Sequence, residues 1–478
     1  MQTSQAVEVV TRHVDAAQRD LDVPGIAFGL LRDGELLHTG GVGQRVLGES
    51  EVPVANTVFR IASMTKSFTA AAVLLLRDRG VLRLDDDIAE HCPWMSGIGI
   101  PEGFHALTVR DLLTMQAGFP TDDPWGDRQE DLAIDAFDAM VASGVSFARS
   151  PRLVFEYSNL AYALLGRVIS SATGIDYRDV VHAELLEPLG LSSTRFVAAD
   201  VDAAHLAQGY APTAAGLVPE PFTGPGAFSP MGGLLSTVED LARWVAGFQN
   251  ALSGVNDSHP LSRASRLEMQ TAQKFIGTTL TRTPNDDGDD TVYVSTSSYC
   301  FGLRVSDDIP LGRFLSHSGG YPGFGSHMRW HVGTGWAVVG LGNRTYANMS
   351  ATLTAALEEI VAGTQTRAVE SELWPHTISA MVIVESLLTE WNSDVADAQF
   401  AVNIDRDFPR IDRRADWQRA AEALGQWHRG DRAIESDSPA HARWWVESES
   451  GTAKLEVRLS PESPPKIQAL TVVLESAS

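Results

Sequence analysis

Ser63-Met64-Thr65-Lys66 stands between the apolar run FRIA and the helix-forming run FTAAAVLLLRDRG. Residues three apart share a helix face, so this spacing sets the Ser63 hydroxyl within hydrogen-bond reach of the Lys66 amine. A serine in the first turn of a helix also offers a free backbone N–H at the positive end of the macrodipole, where it can bind an oxyanion. A lysine enclosed by apolar side chains is driven toward its neutral form and then accepts the serine proton. The chemistry this points to is nucleophilic attack by an activated hydroxyl. Lysine is scarce here, four residues against 33 arginines, so one at a meaningful spacing carries information. Ser463-Pro464-Pro465-Lys466 repeats the pattern, but its two prolines forbid a helix.

Tyr157-Ser158-Asn159 opens the run LAYALLGRVISSATG. A phenol beside a cationic lysine can ionise, act as general base and then protonate a leaving group, while an Asn amide orients lysine and substrate. Helix capping explains the asparagine equally well. His317-Ser318-Gly319-Gly320 ends a strand-like run and precedes YPGFGSH. A hydroxyl and small residues on an edge strand let a substrate backbone lie alongside and supply a second N–H for an oxyanion. Tyr346-Ala347-Asn348, His38-Thr39-Gly40 and His331-Val332-Gly333 match the same short patterns and read as structural.

The order Ser-x-x-Lys, Tyr-x-Asn, His-x-Gly, in the contexts FRIASMTKSFTAAAV, YSNLAYALLG and HSGGYPGFGSHMRW, resembles the serine hydrolases related to class C β-lactamases. That group includes D-alanyl-D-alanine carboxypeptidases, D-aminopeptidases and family VIII esterases. The resemblance covers about residues 8 to 362. It implies a serine β-lactamase or penicillin-binding-protein-like fold in which Ser63 is the acylated nucleophile, Lys66 its base, Tyr157 the proton shuttle and Asn159 the orienting amide. By the same resemblance the N–H groups of Ser63 and Gly320 form the oxyanion hole, with Ser318 and Gly319 beside the substrate. His317 stands where true β-lactamases carry Lys, a departure that favours a peptidase, amidase or esterase. LLTMQAGFP at 112–120, where the family often has LLTHTSGLP, is a second departure. With Lys66 nearby, His317 is expected to be neutral at pH 7, so substrates need no carboxylate at that end. Activity is then expected to rise from about pH 6 to 8 as Lys66, Tyr157 and His317 lose protons together. The alternative is a penicillin-binding-like sensor or binding module with little turnover; the complete Ser, Lys and Tyr set favours the enzyme.

The elements that must position these residues are legible in outline. Val7, Val10, Val14, Ala17 and Leu21 predict an opening helix, and Asp33-Gly34 between two apolar runs predicts a hairpin. Strand-like runs return at 301–305, 314–318, 327–332 and 336–343, with helix-rich sequence between. The expected fold is α+β, one antiparallel sheet built from residues 25 to 41 and 300 to 342, with a helical subdomain. The polar stretch 276–298, containing NDDGDD, reads as a solvated loop. After a linker ending at Pro375, six of the eleven tryptophans fall in the last 105 residues, too much aromatic surface for a disordered tail. Domains are therefore expected at 1–365, the hydrolase-like part, and 376–478, a small α+β part that is possibly NTF2/cystatin-like. In the latter, a helix at about 376–396 and the strand runs ARWWVES, AKLEVRLS and IQALTVVLES are expected.

Composition bounds the partners. The chain has 478 residues and a net charge of −24, which repels nucleic acid and anionic membranes alike. Cys92 and Cys300 read by default as two buried thiols, one bridge between them being the alternative, and the 13 histidines show no metal-ligand spacing, so no metal and no cofactor is expected. The opening residues lack a signal-peptide pattern and no apolar run spans a bilayer, which points to a cytoplasmic protein acting on a small-molecule ester, amide or peptide. The oligomeric state is left open.

Overall fold

The computed structural model describes residues 1–255, 257–284, 290–364 and 373–475. The chain divides into two units, Met1–Thr366 and Arg367–Ser478. The opening helix α1 (Thr3–Asp20) forms on the expected spacing and buries Ala6, Val10, Val14 and Ala17. Strands β1 (Gly25–Arg32) and β2 (Glu35–Gly43) pair Arg32 with Glu35 across Asp33-Gly34. Both turn residues have positive φ, +52° and +83°, as the tight hairpin turn matching strand twist requires.

The helical middle contains α2 (Thr65–Asp78), α3 (Asn159–Thr173) and α4 (Val238–Ser253). Every residue of α2 from Thr65 to Leu76 is buried, so this helix is central rather than amphipathic. Trp244 of α4 stacks on Phe68 of α2 at 4.0 Å and donates its indole N–H to Ser67 at 3.0 Å. The chain then returns as β3 (Lys274–Pro284), β4 (Asp290–Tyr299), β5 (Arg304–Ile309), β6 (Gly312–Tyr321), β7 (Phe324–His331), β8 (Trp336–Gly342) and helix α5 (Met349–Ala362). The eight strands form one antiparallel sheet in the order β2-β1-β8-β7-β6-β5-β4-β3. Alternation along β1 explains its unbroken apolar run: Ile26, Phe28 and Leu30 face the layer of α1 and α5, whereas Ala27 and Leu31 face the core containing α2, α3 and α4. The α+β architecture, with a sheet from both ends of the unit and a helical middle, is the one expected.

Two boundaries differ from expectation. The polar stretch 276–298 is not a loop: its described residues extend the sheet by two strands, and Ser295 to Tyr299 pair with β5. Thr, Val and Tyr alternate there, and β-branched residues favour pleated backbone even where both faces are polar; the centre of NDDGDD lies outside the described residues. In the run 301–305 only Arg304 and Val305 are strand. Cys92 and Cys300 are free and buried, and burial raises their pKa values to about 11 and about 12.

The second unit contains α6 (Pro375–Thr389), α7 (Ser393–Gln399), α8 (Arg410–Leu424) and a four-stranded antiparallel sheet β9 (Trp427–Arg429), β10 (His441–Ser448), β11 (Gly451–Leu459) and β12 (Ile467–Glu475). The expected helix at 376–396 is interrupted after Thr389. Its core gathers Ala380, Val384, Trp417, Trp444, Leu455 and Val457. Ser463-Pro464-Pro465-Lys466 lies in the connection between β11 and β12, outside any helix. Among the described residues no helix is long and apolar enough to cross a membrane.

The apolar clusters of the first unit draw only on residues up to Val361 and that of the second only on residues from Ala380 onward. A chain ending at residue 364 is therefore expected to keep the circular-dichroism spectrum and a cooperative thermal transition of a folded α+β protein. An unfolded truncation would show that the two parts depend on a common core.

Candidate active site

The site begins at a sharp turn. Phe59–Arg60 pairs with Leu235–Ser236, Ile61 N–H donates to Leu234 O, and Ala62 then adopts φ +50°, a left-handed conformation rare for a residue with a side chain. This turn throws Ser63 into a short 3-10 segment, Ala62–Met64, that leads into α2. Strand β6 is pressed against the turn: a Cβ on Gly319 would lie 2.3 Å from Ile61 O, and the Ser326 hydroxyl donates to the same carbonyl at 2.7 Å. Only glycine permits that approach.

Lys66 occupies the first turn of α2 with no solvent exposure. Its Nζ donates to Ser63 Oγ at 3.0 Å, Asn159 Oδ1 at 2.6 Å and Met231 O at 2.8 Å. Burial lowers its pKa to about 8, against the upward pull of Asp123, Asp127, Asp122 and Glu130. Asn159 opens α3. Its amide is oriented from both ends, Oδ1 toward Lys66 and Nδ2 donating to Asp123 at 3.0 Å, while Asp122 accepts from the backbone N–H groups of Asn159 and Leu160. Helix capping and lysine orientation are thus both present here, the first supplied by Asp122 and Ser158 rather than by the asparagine side chain.

Tyr157 places its ring 4.9 Å from Lys66 Nζ and lines the same cavity as Ser63. The expectation that the lysine cation would ionise this phenol is not met. Burial is the larger effect and holds Tyr157 well above the ordinary phenol range, so it rests protonated. His317 donates Nδ1–H to the Ser318 carbonyl at 2.7 Å, because a carbonyl can only accept, and Nε2 takes the Tyr299 hydroxyl at 3.3 Å. Burial first, and Lys66 second, lower its pKa to about 3. His317 is therefore neutral as expected, but it does not titrate between pH 6 and 8.

Ser63, Tyr157, His317, Ser318 and Gly320 line one cavity of about 510 Å³. Lys66 and Asn159 lie buried behind it, and Gly319 packs under the nucleophile turn. Pairing of β6 with β5 stops at Ser316, so that among the described residues the edge of His317–Tyr321 beyond it has no strand neighbour on that side. The cavity is also lined by Asp123, Pro124, Asp127 and Tyr346, none of them singled out from sequence as functional. Tyr346 hydroxyl donates to Asp127 at 2.9 Å, and burial pushes Asp127 up to about 7. Tyr346-Ala347-Asn348, read as structural, thus contributes its tyrosine to the site, while Asn348 caps α5. The acidic run TDDPWGD upstream of Tyr157 was the available signal for the carboxylates. The departure at 112–120 also acquires a consequence: Met115 Sδ accepts the Ser158 N–H at 3.3 Å, tying that loop to the second motif. His38 lies beside Phe28 in the first hairpin, and His331 bonds Thr334 and the Leu311 carbonyl, so both of those matches are structural.

Known proteins resemble this chain over much of its length. Penicillin-binding protein 4* of Bacillus subtilis (strain 168) is 25% identical over 324 residues, 65% of this chain and 66% of that protein. Unguisins hydrolase ungD of Aspergillus violaceofuscus (strain CBS 115571) is 27% identical over 361 residues, 70% of this chain and 61% of that protein. The chain thus covers less than two thirds of the length of either relative. The octameric penicillin-binding protein homologue from Pyrococcus abyssi shares the fold, with a TM-score of 0.62 at 19% identity over 98% of each chain. The family model described as Beta-lactamase matches residues 10–362, the stretch that holds all three motifs and the whole eight-stranded sheet, and on that match the chain belongs to the beta-lactamase family.

Proposed function

We propose that the protein is a serine hydrolase that cleaves an ester or amide, D-amino-acid peptides among the candidates, through an acyl-enzyme on Ser63. The observation that supports this most is the environment of Lys66. The two carbonyl oxygens it meets, Asn159 Oδ1 and Met231 O, can only accept. When Lys66 loses its proton, its two remaining N–H groups stay on those acceptors and the lone pair is left facing Ser63 Oγ. A base is thereby aimed at the nucleophile.

In the proposed reaction Lys66 takes the Ser63 proton as Oγ attacks the substrate carbonyl. The N–H groups of Ser63 and Gly320 receive the developing oxyanion. Tyr157, neutral and in the same cavity as Ser63, passes its proton to the leaving group and is reprotonated by Lys66. Water then attacks the ester of Ser63 by the reverse path, releasing the acid and restoring the serine hydroxyl. Names given to the relatives, a hydrolase and a penicillin-binding protein, accord with acyl transfer.

Ser63→Ala is expected to lower kcat/KM on p-nitrophenyl esters and D-amino-acid p-nitroanilides by roughly a thousandfold or more, and Tyr157→Phe by about a hundredfold or more. Ser463→Ala is the control and should leave turnover intact. Turnover retained in Ser63→Ala would refute the assignment.

The pH profile discriminates between the titrating groups. Lys66 must be neutral to act, so kcat/KM should climb about tenfold per pH unit and bend near its pKa of about 8. In His317→Gln the bend should keep its position, because the pKa of about 3 for His317 lies below the window. A bend near about 6.5, lost in His317→Gln, would show that the histidine titrates instead.

A further inference from the structure

Tyr346 holds a conformation that core packing does not explain. Its φ of +51° is left-handed, which is costly for an aromatic residue, and the residue is 46% exposed. A strained backbone persists only where its surroundings over-determine it, and such residues gather at functional sites. Three contacts determine this one. The Tyr346 N–H is shared between the carbonyls of Tyr321 and Phe324, at 3.3 and 3.1 Å, which pair with each other at the turn from β6 to β7. The ring lies against Gly320, where a Cβ would stand 2.8 Å from Cδ1, so that only glycine admits it. The hydroxyl donates to Asp127 at 2.9 Å.

Asp127 is 3% exposed and lines the active-site cavity together with Tyr346, Gly320 and Ser63. The Tyr346–Asp127 bond thus ties the loop after β8 to the segment before α3 within the lining of a single cavity. Both charge states of a carboxyl accept a hydroxyl proton, so the bond survives the titration of Asp127 near pH 7. Which end of a substrate meets the bridge follows from the placement of Tyr157. Phe155, two residues earlier, packs on Tyr299 at 5.5 Å, and the Tyr299 hydroxyl donates to His317 at 3.3 Å. The leaving group, which takes its proton from Tyr157, is thereby assigned to the His317 end of β6. Gly320, three residues further along the strand, carries the bridge, so the acyl group faces it.

We propose that the Tyr346–Asp127 bridge determines acyl-group specificity: it bounds the cavity beyond Gly320 and restricts Ser63 to short acyl groups. The proposal rests on the acyl-enzyme reading above and gives Tyr346 and Asp127 a role in selecting the substrate, outside the proton relay. Such a bound discriminates by size. An acyl chain that outgrows the cavity must push the ring away from Gly320 and break the bond to Asp127, a cost that a short chain does not meet. Loss of the hydroxyl removes one of the three contacts and leaves the strained backbone of Tyr346 freer to relax.

The test is a series of p-nitrophenyl esters, acetate, butyrate and octanoate, in which the leaving group is constant and only the acyl chain grows. The native enzyme should favour acetate and butyrate over octanoate. Tyr346→Phe, which keeps the ring and removes the bond, should raise the octanoate-to-acetate ratio of kcat/KM several-fold, and Tyr346→Ala should raise it by roughly tenfold or more. Asp127→Ala should match Tyr346→Phe, and the double variant should move the ratio no further than either alone, because both remove the same bond. The rate of Ser63 labelling by a small fluorophosphonate in each variant reports that the nucleophile is assembled. A native profile that is flat or rises with chain length, a ratio unmoved by Tyr346→Ala, or additive shifts from Tyr346→Phe and Asp127→Ala would overturn the bridge, while labelling and acetate turnover uphold the hydrolase. Absence of labelling and of turnover in the native enzyme would overturn both.

Discussion

A lysine with no access to solvent, satisfied by three acceptors and watched by four carboxylates, is the interaction on which the rest of this site depends. Removing an ammonium from water costs several kcal/mol unless it is compensated. Here the compensation is divided: three hydrogen bonds fix the nitrogen, and Asp123, Asp127, Asp122 and Glu130 supply distant negative charge. Neither part restores full solvation, and the lysine settles near neutrality, where proton transfer in either direction is cheap. The burial of α2 on every face is the structural condition for this.

The other groups follow from that choice. A protonated Tyr157 suits a donor role, and a neutral His317 avoids a second cation next to Lys66. The cavity lining combines the carboxylates of Asp123 and Asp127 with the guanidinium of Arg304. Beyond Ser316, where pairing with β5 ends, β6 lines the cavity together with the nucleophile.

What sequence reading captured was local. Ser63 and Lys66 are one helical turn apart, Asp33 and Gly34 define their own turn, and α1 declares its buried face by spacing. What it missed was brought in by the fold. Asp123 reaches Asn159 across 36 residues, Tyr346 reaches Asp127 across 219, and no spacing encodes either contact. Strands β3 and β4 were hidden because polar residues on both faces erase the hydrophobic alternation that marks a strand. For His317 the direction of the shift was foreseen from Lys66, but its size depends mainly on burial, which a sequence does not display.

The scarcity of lysine permits a direct test of the central claim. With only Lys66, Lys274, Lys454 and Lys466 in the chain, selective labelling of lysine side chains yields four resonances, and Lys66→Met assigns the one of interest. Titration of the native protein by NMR should show that resonance changing near pH 8. A Lys66 resonance that stays in the charged form to about pH 10.4, the value of a solvated lysine, would contradict the account.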